Sequence, residues 1–195
     1  HNSNQSFIMS GKGEEMKFFA FGRFSDKQVL MSHSNQSKME KKFLEEVAVL
    51  IPKLEGLKLV TEQRQKITAG SGCWYCTVDK HNLFYLALTR PSYSERLAFG
   101  MVAEIQFNVF KIENYFDLKE SDMKKHLKKI VPEIVAKYDD PSQFDALEKA
   151  TKTVKELEEI AAKNIQGLLA NGQSLEVVDA KAQGLKDQSH LFHKN

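Results

Sequence analysis

The most constraining feature of this sequence is a regular spacing of small and apolar residues along its C-terminal quarter. From Leu147 to Phe192 they recur at steps of three and four, which gives about six heptad repeats with a polar residue at the centre. A seam sustained over more than three or four heptads is typical of a helix that packs against partner helices in a coiled coil. The seam positions are Leu147, Ala150, Val154, Leu157, Ala161, Asn164, Leu168, Asn171, Leu175, Val178, Ala182, Leu185, Ser189 and Phe192.

A single helix carrying this seam would expose its large apolar side chains, each of which gains about 1.5 to 3 kcal/mol when it is buried. Gly167, Gly172 and Gly184 each weaken the helix by about 1 kcal/mol as well. We therefore expect the segment to be disordered or folded back on its own domain until partners cover it. A homodimeric coiled coil is the alternative interpretation, but the mixture of Ala, Ser, Asn, Leu and Phe favours a bundle of more than two dissimilar helices.

The first part of the chain predicts a β-hairpin and then a helix. Residues 16–32 contain a Phe-rich strand, a Ser-Asp-Lys turn and a second strand. Ser37 and Glu40 match the Ser-x-x-Glu capping box of a helix N-terminus. We expect Pro52 and Gly56 to end this helix. Its apolar face comprises Met39, Phe43, Val47, Leu50 and Ile51.

Three further strands are predicted to follow as a meander. The stretch 59–69 leads through a tight turn at 70–72 into a β-type run at 73–78, and a turn at 79–82 leads into the strand 83–89. Strands on both sides of a helix, joined by short turns, favour an α+β fold with a five-stranded, mostly antiparallel sheet and helices packed on it.

Two more amphipathic helices are predicted before the seam. Ser92 and Glu95 match a second capping box. In the middle of the helix that follows, Gly100 costs about 1 kcal/mol against Ala, which suggests that a neighbouring element approaches its backbone closely. The next helix spans 121–138 and contains Pro132, so we expect a kink or a break there.

These elements predict four consecutive regions. Residues 1–15 are expected to be a flexible tail or a tag remnant, and residues 16–138 form the α+β domain. A linker at 139–143, Asp-Asp-Pro-Ser-Gln, follows a Tyr that ends the domain and leads into the heptad segment at 144–195.

Composition and cysteine placement argue against several function classes. The formal net charge is only +2, which does not favour nucleic acid as a partner, and no run of eighteen apolar residues is present to cross a membrane. Cys73 and Cys76 lie in one predicted strand at a spacing that points them to opposite faces, so they should neither bridge nor share a metal. With no catalytic constellation apparent, we predict a protein without enzymatic activity, metal or cofactor; a redox enzyme using the two thiols is a remote alternative.

The chain resembles the longin-domain R-SNAREs, also called long synaptobrevins. The run Ser-Tyr-Ser-Glu-Arg-Leu-Ala-Phe at 92–99 is similar to the longin domain, and Lys163 to Leu175 is similar to the centre of a SNARE motif. The resemblance covers nearly all of residues 16–195. Within the family, Tyr-Asp-Asp-Pro at 138–141 and the stretch 189–194 resemble the lipid-anchored type, which ends in a pair of cysteines. The sequence ends before either kind of anchor, so we expect it to be C-terminally truncated.

The resemblance implies a longin, profilin-like fold and a role in membrane fusion. One R-SNARE helix zips with three Q-SNARE helices into a four-helix bundle, so the seam residues become its layers. The longin domain is implied to fold over the SNARE segment as an autoinhibitory and targeting module. A C-terminal lipid, prenyl or palmitoyl, or another anchor would hold the protein on the cytoplasmic face of Golgi, ER, vesicle or vacuolar membranes, with a cytosolic pool. Candidate residues for a hydrophobic groove on the longin domain are Phe19, Phe21, Phe99, Phe107 and Phe110.

One position departs from the family pattern. The central layer of an R-SNARE carries Arg, and here that position is Asn171, which is shorter and uncharged. A buried Asn can still set the register of a coiled coil, but Asn171-Gly172 is also a helix-stop signal. The alternative function is a longin-type adaptor or tethering subunit that binds a coat or a GTPase partner without fusion activity.

Overall fold

A sheet of mainly antiparallel strands forms the centre of this computed structural model, which describes residues 11–56, 64–152 and 163–164. The strand order is β2-β1-β5-β4-β3-β6, with every neighbouring pair antiparallel except β3 and β6. The five antiparallel strands confirm the predicted sheet, and the two-residue β6 adds to its edge. The strands are β1 Met16–Arg23, β2 Gln28–Ser34, β3 Gln65–Ala69, β4 Gly72–Val78, β5 Leu83–Thr89 and β6 Lys163–Asn164.

Helices cover both faces of this sheet, which confirms the predicted α+β fold class and is consistent with a longin fold. The helix between β2 and β3 lies on one face, and those after β5 lie on the other. All residues of β4 and β5 are buried, as expected for strands that are covered on both sides. The helices are α1 Glu40–Gly56, α2 Glu95–Phe110, α3 Glu120–Leu127, α4 Ile130–Lys137 and α5 Phe144–Lys152.

The core beneath α1 is built from alternate residues of the strands and one apolar stripe of the helix. Phe18 packs against Phe43 at a ring-centroid distance of 5.5 Å and against Trp74 at 6.0 Å. Five large apolar residues of α1 are almost fully buried on this face, since they follow the helical period. They are Phe43, Val47, Leu50, Ile51 and Leu54.

The core on the other face lies between the sheet and α2, α3, α4 and α5. Phe21 stacks on Tyr85 at 5.4 Å, and Tyr75 meets Phe99 edge-on at 5.3 Å. Helix α2 is buried along most of its circumference because the sheet lies on one side and α4 and α5 lie on the other. This agrees with the broad apolar surface of its sequence.

The turn between β4 and β5 is fixed by the buried carboxylate of Asp79. It accepts hydrogen bonds from the backbone N–H groups of His81 at 2.8 Å and Leu83 at 3.1 Å. It also accepts from the hydroxyls of Tyr85 at 2.9 Å and Tyr115 at 3.3 Å. The predicted turn is therefore confirmed, and its carboxylate also anchors the segment that follows α2.

Both predicted capping boxes are wrong. Ser37 begins a short 3₁₀ turn without a side-chain cap, and the α-helix itself starts at Glu40. In the second case the N-cap of α2 is Ser94, whose Oγ accepts a hydrogen bond from Leu97 N at 3.3 Å, instead of Ser92. The Ser-x-x-Glu pattern matched because several serines stand near each helix start, and only backbone geometry selects the one that caps.

The two prolines act differently from expectation. Pro52 was predicted to help end the first helix, yet α1 continues through it to Gly56, because Ile51 and Leu54 on either side are buried against the sheet. The predicted 121–138 helix is broken, as expected for a proline, but the break falls at 128–129. Pro132 then occupies the first turn of α4, where its missing N–H needs no partner.

The two cysteines face opposite cores, as their spacing predicted. Cys73 belongs to the core beneath α2 and Cys76 to the core beneath α1, and both are free thiols with about 1% of their surface exposed. Burial raises the pKa of each thiol. A buried thiol with a raised pKa carries little reactive thiolate, as is typical of structural cysteines.

Candidate functional site

The start of the heptad seam lies on the longin-like domain, and an ordered connection leads to it. Both carboxylate oxygens of Asp139 are used: Oδ2 accepts from Gly13 N at 2.7 Å, and Oδ1 accepts from Glu15 N at 3.0 Å and Met16 N at 2.9 Å. Burial raises the pKa of this carboxyl, while the three backbone N–H donors act to lower it. Asp140 caps the next turn through Ser142 N at 3.0 Å. These bonds fix the direction in which α5 leaves the domain.

Helix α5 presents one face to α2. Leu147 and Thr151 are buried on this face, with 7% and 5% of their surface exposed. The ring of Phe144, one turn earlier, meets Tyr93 edge-on at 5.6 Å. Because residues three and four apart share a helix face, these three side chains form the docked stripe of α5.

The closest approach between the two helices occurs at Gly100. A Cβ atom added to Gly100 would lie 2.6 Å from Cγ2 of Thr151 and 3.7 Å from the hydroxyl of Tyr138. Thr151 is held in place because its Oγ1 donates to the carbonyl oxygen of Leu147 at 2.9 Å. The close approach predicted from Gly100 is thus confirmed, and its neighbour is a residue of the predicted SNARE segment.

Polar contacts surround this apolar stripe. Ser94, the N-cap of α2, donates through Oγ to Glu148 Oε1 at 2.9 Å. Tyr93 donates to the carbonyl oxygen of Tyr138 at 2.7 Å, and Tyr138 donates to Glu104 Oε2 at 2.9 Å. Burial raises the pKa of both tyrosines well above 10, so their hydroxyls remain protonated donors. These hydrogen bonds therefore tie α2 both to the end of α4 and to α5.

A second contact joins the seam to the sheet. Lys163 and Asn164 pair in parallel with Gln65 and Lys66 at the edge of β3. Asn164 is itself a predicted layer position, so two separate parts of the predicted SNARE segment contact the longin-like domain.

The structure describes three of the predicted layer residues. Leu147 points into the core, Ala150 lies on the exposed side of α5, and Asn164 lies in β6. The docked stripe and the heptad seam therefore use different faces of α5 and share Leu147. The remaining layer predictions lie outside the described residues: Val154, Leu157, Ala161, Leu168, Asn171, Leu175, Val178, Ala182, Leu185, Ser189 and Phe192.

The five predicted groove residues occupy two different environments. Phe19 and Phe21 are fully buried and Phe99 is 3% exposed, all within the core beneath α2. Phe107 and Phe110 lie on the outer surface at the C-terminal end of α2, with 63% and 49% of their surface exposed. The structure therefore does not bring the five together around one open cavity in the part of the chain it describes.

Within the described ranges, no group of His, Cys, Asp and Glu side chains is arranged to hold a metal ion. The same ranges contain no helix that is long and apolar enough to cross a bilayer. Sequence reasoning missed the contact residues Tyr93, Ser94, Glu148 and Thr151. Gly100 was the one signal that could have pointed to them.

No family model matches the sequence. Curated relatives do match: the chain is 25% identical over 135 residues to "Synaptobrevin homolog YKT6" of Saccharomyces cerevisiae, covering 68% of this chain and 67% of the yeast protein. The protein of the same name from Debaryomyces hansenii is 24% identical over 140 residues, with the same coverage. That of Schizosaccharomyces pombe is 30% identical over 61 residues, about a third of each chain (31%). Together with the fold, these similarities confirm the resemblance of this chain to the longin-domain R-SNAREs.

Proposed function

We propose that this chain assembles with three Q-SNARE helices into a four-helix bundle and thereby drives membrane fusion. Its similarity to proteins named synaptobrevin homolog YKT6 supports a SNARE role in vesicle trafficking and a function without catalysis. The heptad seam supplies apolar layers of the kind that such a bundle buries. In this proposal the protein works on the cytoplasmic face of endomembranes, held there by a C-terminal lipid.

We further propose that residues 16–138 form the longin domain, that 139–143 connect it, and that 144–195 form the SNARE motif. The longin domain restrains the motif by direct contact. The observation that carries this proposal is the docking of α5, the first part of the seam, on α2. The pairing of β6 with β3 supports it at a second position.

Docking and assembly compete for the same side chain. In a bundle Leu147 would face the partner helices as a layer residue, whereas in the docked helix it is buried against the longin domain. Helix α5 must therefore leave α2 before the first layers can form. Since R-SNARE zippering starts at the N-terminal layers, this contact would delay the first step of assembly.

The decisive experiment changes the fit between α2 and α5 without weakening either helix. Gly100→Ala places a Cβ against Thr151 Cγ2, so it should displace α5. The substitution raises the intrinsic helix stability of α2 by about 1 kcal/mol, so displacement cannot be attributed to unfolding of α2. Adding Thr151→Ser removes the clashing methyl group and keeps a hydroxyl that can donate to the carbonyl oxygen of Leu147.

The measured quantities are amide exchange in 144–152 and the rate of complex formation with Q-SNARE helices. We expect Gly100→Ala to speed both, and the double variant Gly100→Ala/Thr151→Ser to restore values near those of the wild type. Unchanged assembly in the single variant, despite faster exchange, would refute the competition. Failure of every variant to form a stable complex would refute the SNARE function itself.

The layers beside the centre can be tested by Leu168→Asp, next to the proposed central layer at Asn171. A carboxylate in an apolar layer is costly, so we expect the complex to melt at a lower temperature. Thermal unfolding of the longin domain should stay unchanged. A parallel loss of longin stability would instead assign Leu168 to the core of the domain.

A further inference from the structure

Two aromatic rings stand out at the C-terminal end of α2. Phe107 and Phe110 are the large apolar residues that the described part of the chain exposes, whereas Met101, Ile105 and Val109 of the same helix are buried. Single exposed apolar residues are common on proteins, but a neighbouring aromatic pair is a candidate contact surface.

The pair is mounted on a braced support. Phe110 packs against Tyr115 at 5.3 Å, and the Tyr115 hydroxyl donates to the buried carboxylate of Asp79. His81 stacks on Phe116 at 3.9 Å and meets Tyr115 edge-on at 5.5 Å. The end of α2 is therefore fixed to the turn between β4 and β5, and the rings form a surface that exists before any partner binds.

Basic side chains stand beside these rings. The ammonium of Lys111 lies 4.2 Å from the centre of the Phe107 ring. Lys80 is exposed in the β4–β5 turn, and Lys27 is exposed in the β1–β2 turn. The two turns are joined by a hydrogen bond that Phe24 N donates to Asn82 O at 3.4 Å.

Carboxylates are present at the same end of the molecule. Asp26 is paired with Arg23 at 2.7 Å, and Glu113 and Asp117 are exposed. The end as a whole is close to neutral. Lys111 is nevertheless in contact with a ring of the pair, and Lys80 is next in sequence to His81, which packs on Tyr115, the neighbour of Phe110.

We propose that this aromatic end of α2, formed by Phe107, Phe110, Lys80 and Lys111, contacts the surface of a lipid bilayer. Aromatic rings enter the interface between headgroups and acyl chains, and the adjacent lysines bind lipid phosphates and anionic headgroups. The contact orients the longin domain on the membrane and is separate from bundle assembly.

A lipid surface suits the size of this patch better than a protein does. A Phe side chain offers about 200 Å² in all, so the exposed parts of two rings provide far less than the roughly 800 Å² that each partner contributes to a stable protein interface. A bilayer requires no matching partner surface. The contact is weak on its own and adds to a primary anchor, as two membrane signals commonly do.

The test measures binding of the full 195-residue chain to phosphatidylcholine vesicles, with or without phosphatidylserine, in the absence of Q-SNARE helices. We expect Phe107→Ser to weaken vesicle binding about tenfold, since a ring that is more than half exposed loses its transfer into the interface. Phe107→Trp provides a second readout, because its emission should shift to the blue when vesicles are added while Trp74 stays buried.

Charge reversal separates the lysines from the rings. Lys80→Glu/Lys111→Glu should abolish the preference for phosphatidylserine, whereas the control Lys38→Glu/Lys41→Glu, at exposed positions near the start of α1, should leave it unchanged. Wild-type-like binding by Phe107→Ser would overturn the proposal. So would a Phe107→Trp emission that is already blue-shifted without vesicles, or a concentration-dependent dimer that Phe107→Ser abolishes, because either result means that protein covers the rings.

Discussion

The two faces of the central sheet are closed in different ways. Within the described ranges, one face is covered by α1 alone, which is joined to β2 through a short connection and buries five large apolar residues. The other face is covered by four helices, and the last of them, α5, buries Leu147 as its one large, nearly inaccessible apolar side chain. Among the described elements, the first face is covered by a helix that lies between two strands of the sheet, whereas the second is completed by the helix that begins the heptad segment.

This difference predicts that the domain can release α5 and stay folded. Removing α5 exposes the flank of α2 near Gly100 and leaves the core beneath α1 untouched, because the two cores are separated by the sheet. The free energy that holds α5 is correspondingly small, on the order of the burial of one Leu and part of one Phe ring, a few kcal/mol.

The largest effect should follow from damage to the α1 face. Trp74 is fully buried there, edge-on to Phe18 at 6.0 Å. Trp74→Ala should lower the free energy of unfolding by about 3 to 5 kcal/mol, because the cavity cannot be filled by a single helix braced against the sheet. Urea denaturation followed by circular dichroism measures this loss.

The matched control is Trp74→Phe. The indole N–H of Trp74 has no hydrogen-bond acceptor within the described ranges, so replacing it costs packing but no polar contact. The control should therefore lose clearly less stability than Trp74→Ala. An equal loss in both variants would mean that the indole ring has an acceptor or fills a space that no smaller ring can share.

A smaller effect is expected on the face completed by α5. Leu147→Ala should lower the free energy of unfolding by at most about 2 kcal/mol, since the helix can detach and the loss is then limited to its docking free energy. Amide exchange should accelerate in 144–152 and stay slow in α1. Lys149→Ala, on the exposed side of α5, is the control and should change neither quantity. Faster exchange in α1 as well would contradict the independence of the two faces.

The elements of this fold could largely be predicted because hydrophobic period and turn residues specify them locally. The hairpin at 16–32 and the meander were found in this way. Helix boundaries were less accurate, since choosing Ser94 over Ser92 as N-cap depends on backbone angles that the sequence pattern does not contain. Pro52 was misjudged because tertiary burial outweighs its local cost.

The docking of α5 could be predicted only in part. Gly100 indicated a close neighbour, but nothing in the sequence identified Thr151, which stands far along the chain in a segment that a heptad pattern assigns to other partners. Leu147 fits both the seam and the docked stripe, so periodicity alone cannot choose between them. Leu147 has the same apolar spacing whether it packs in the docked helix or in a bundle layer, so the spacing does not reveal that two environments are available.

The smallest expected effect is a difference in reactivity between the two cysteines, of which Cys73 lies in the core beneath α2 and Cys76 in the core beneath α1. Burial raises the pKa of both thiols; it is the one cause for Cys76, whereas for Cys73 the Tyr75 hydroxyl and the charge of Lys66 partly offset it. In single-thiol variants, Cys76→Ala and Cys73→Ala, we expect the remaining Cys73 to react faster with a thiol reagent than the remaining Cys76. If both thiols instead react at the same rate, equal to the rate of global unfolding, the α2 face opens only when the whole domain unfolds.

The pH dependence of the same variants has a definite sign. Folding raises the thiol pKa above its ordinary value of 9.0, so near that pH the folded state binds more protons than the unfolded state. Stability contributed by the protonated thiols is therefore present below pH 9 and is lost as the pH rises above it. Cys76→Ala should reduce this decline more than Cys73→Ala, because burial raises the pKa of Cys76 unopposed, whereas Tyr75 and Lys66 partly offset the rise for Cys73. A steeper decline in Cys76→Ala than in Cys73→Ala would contradict this prediction, because it would mean that folding raises the pKa of Cys73 further than that of Cys76.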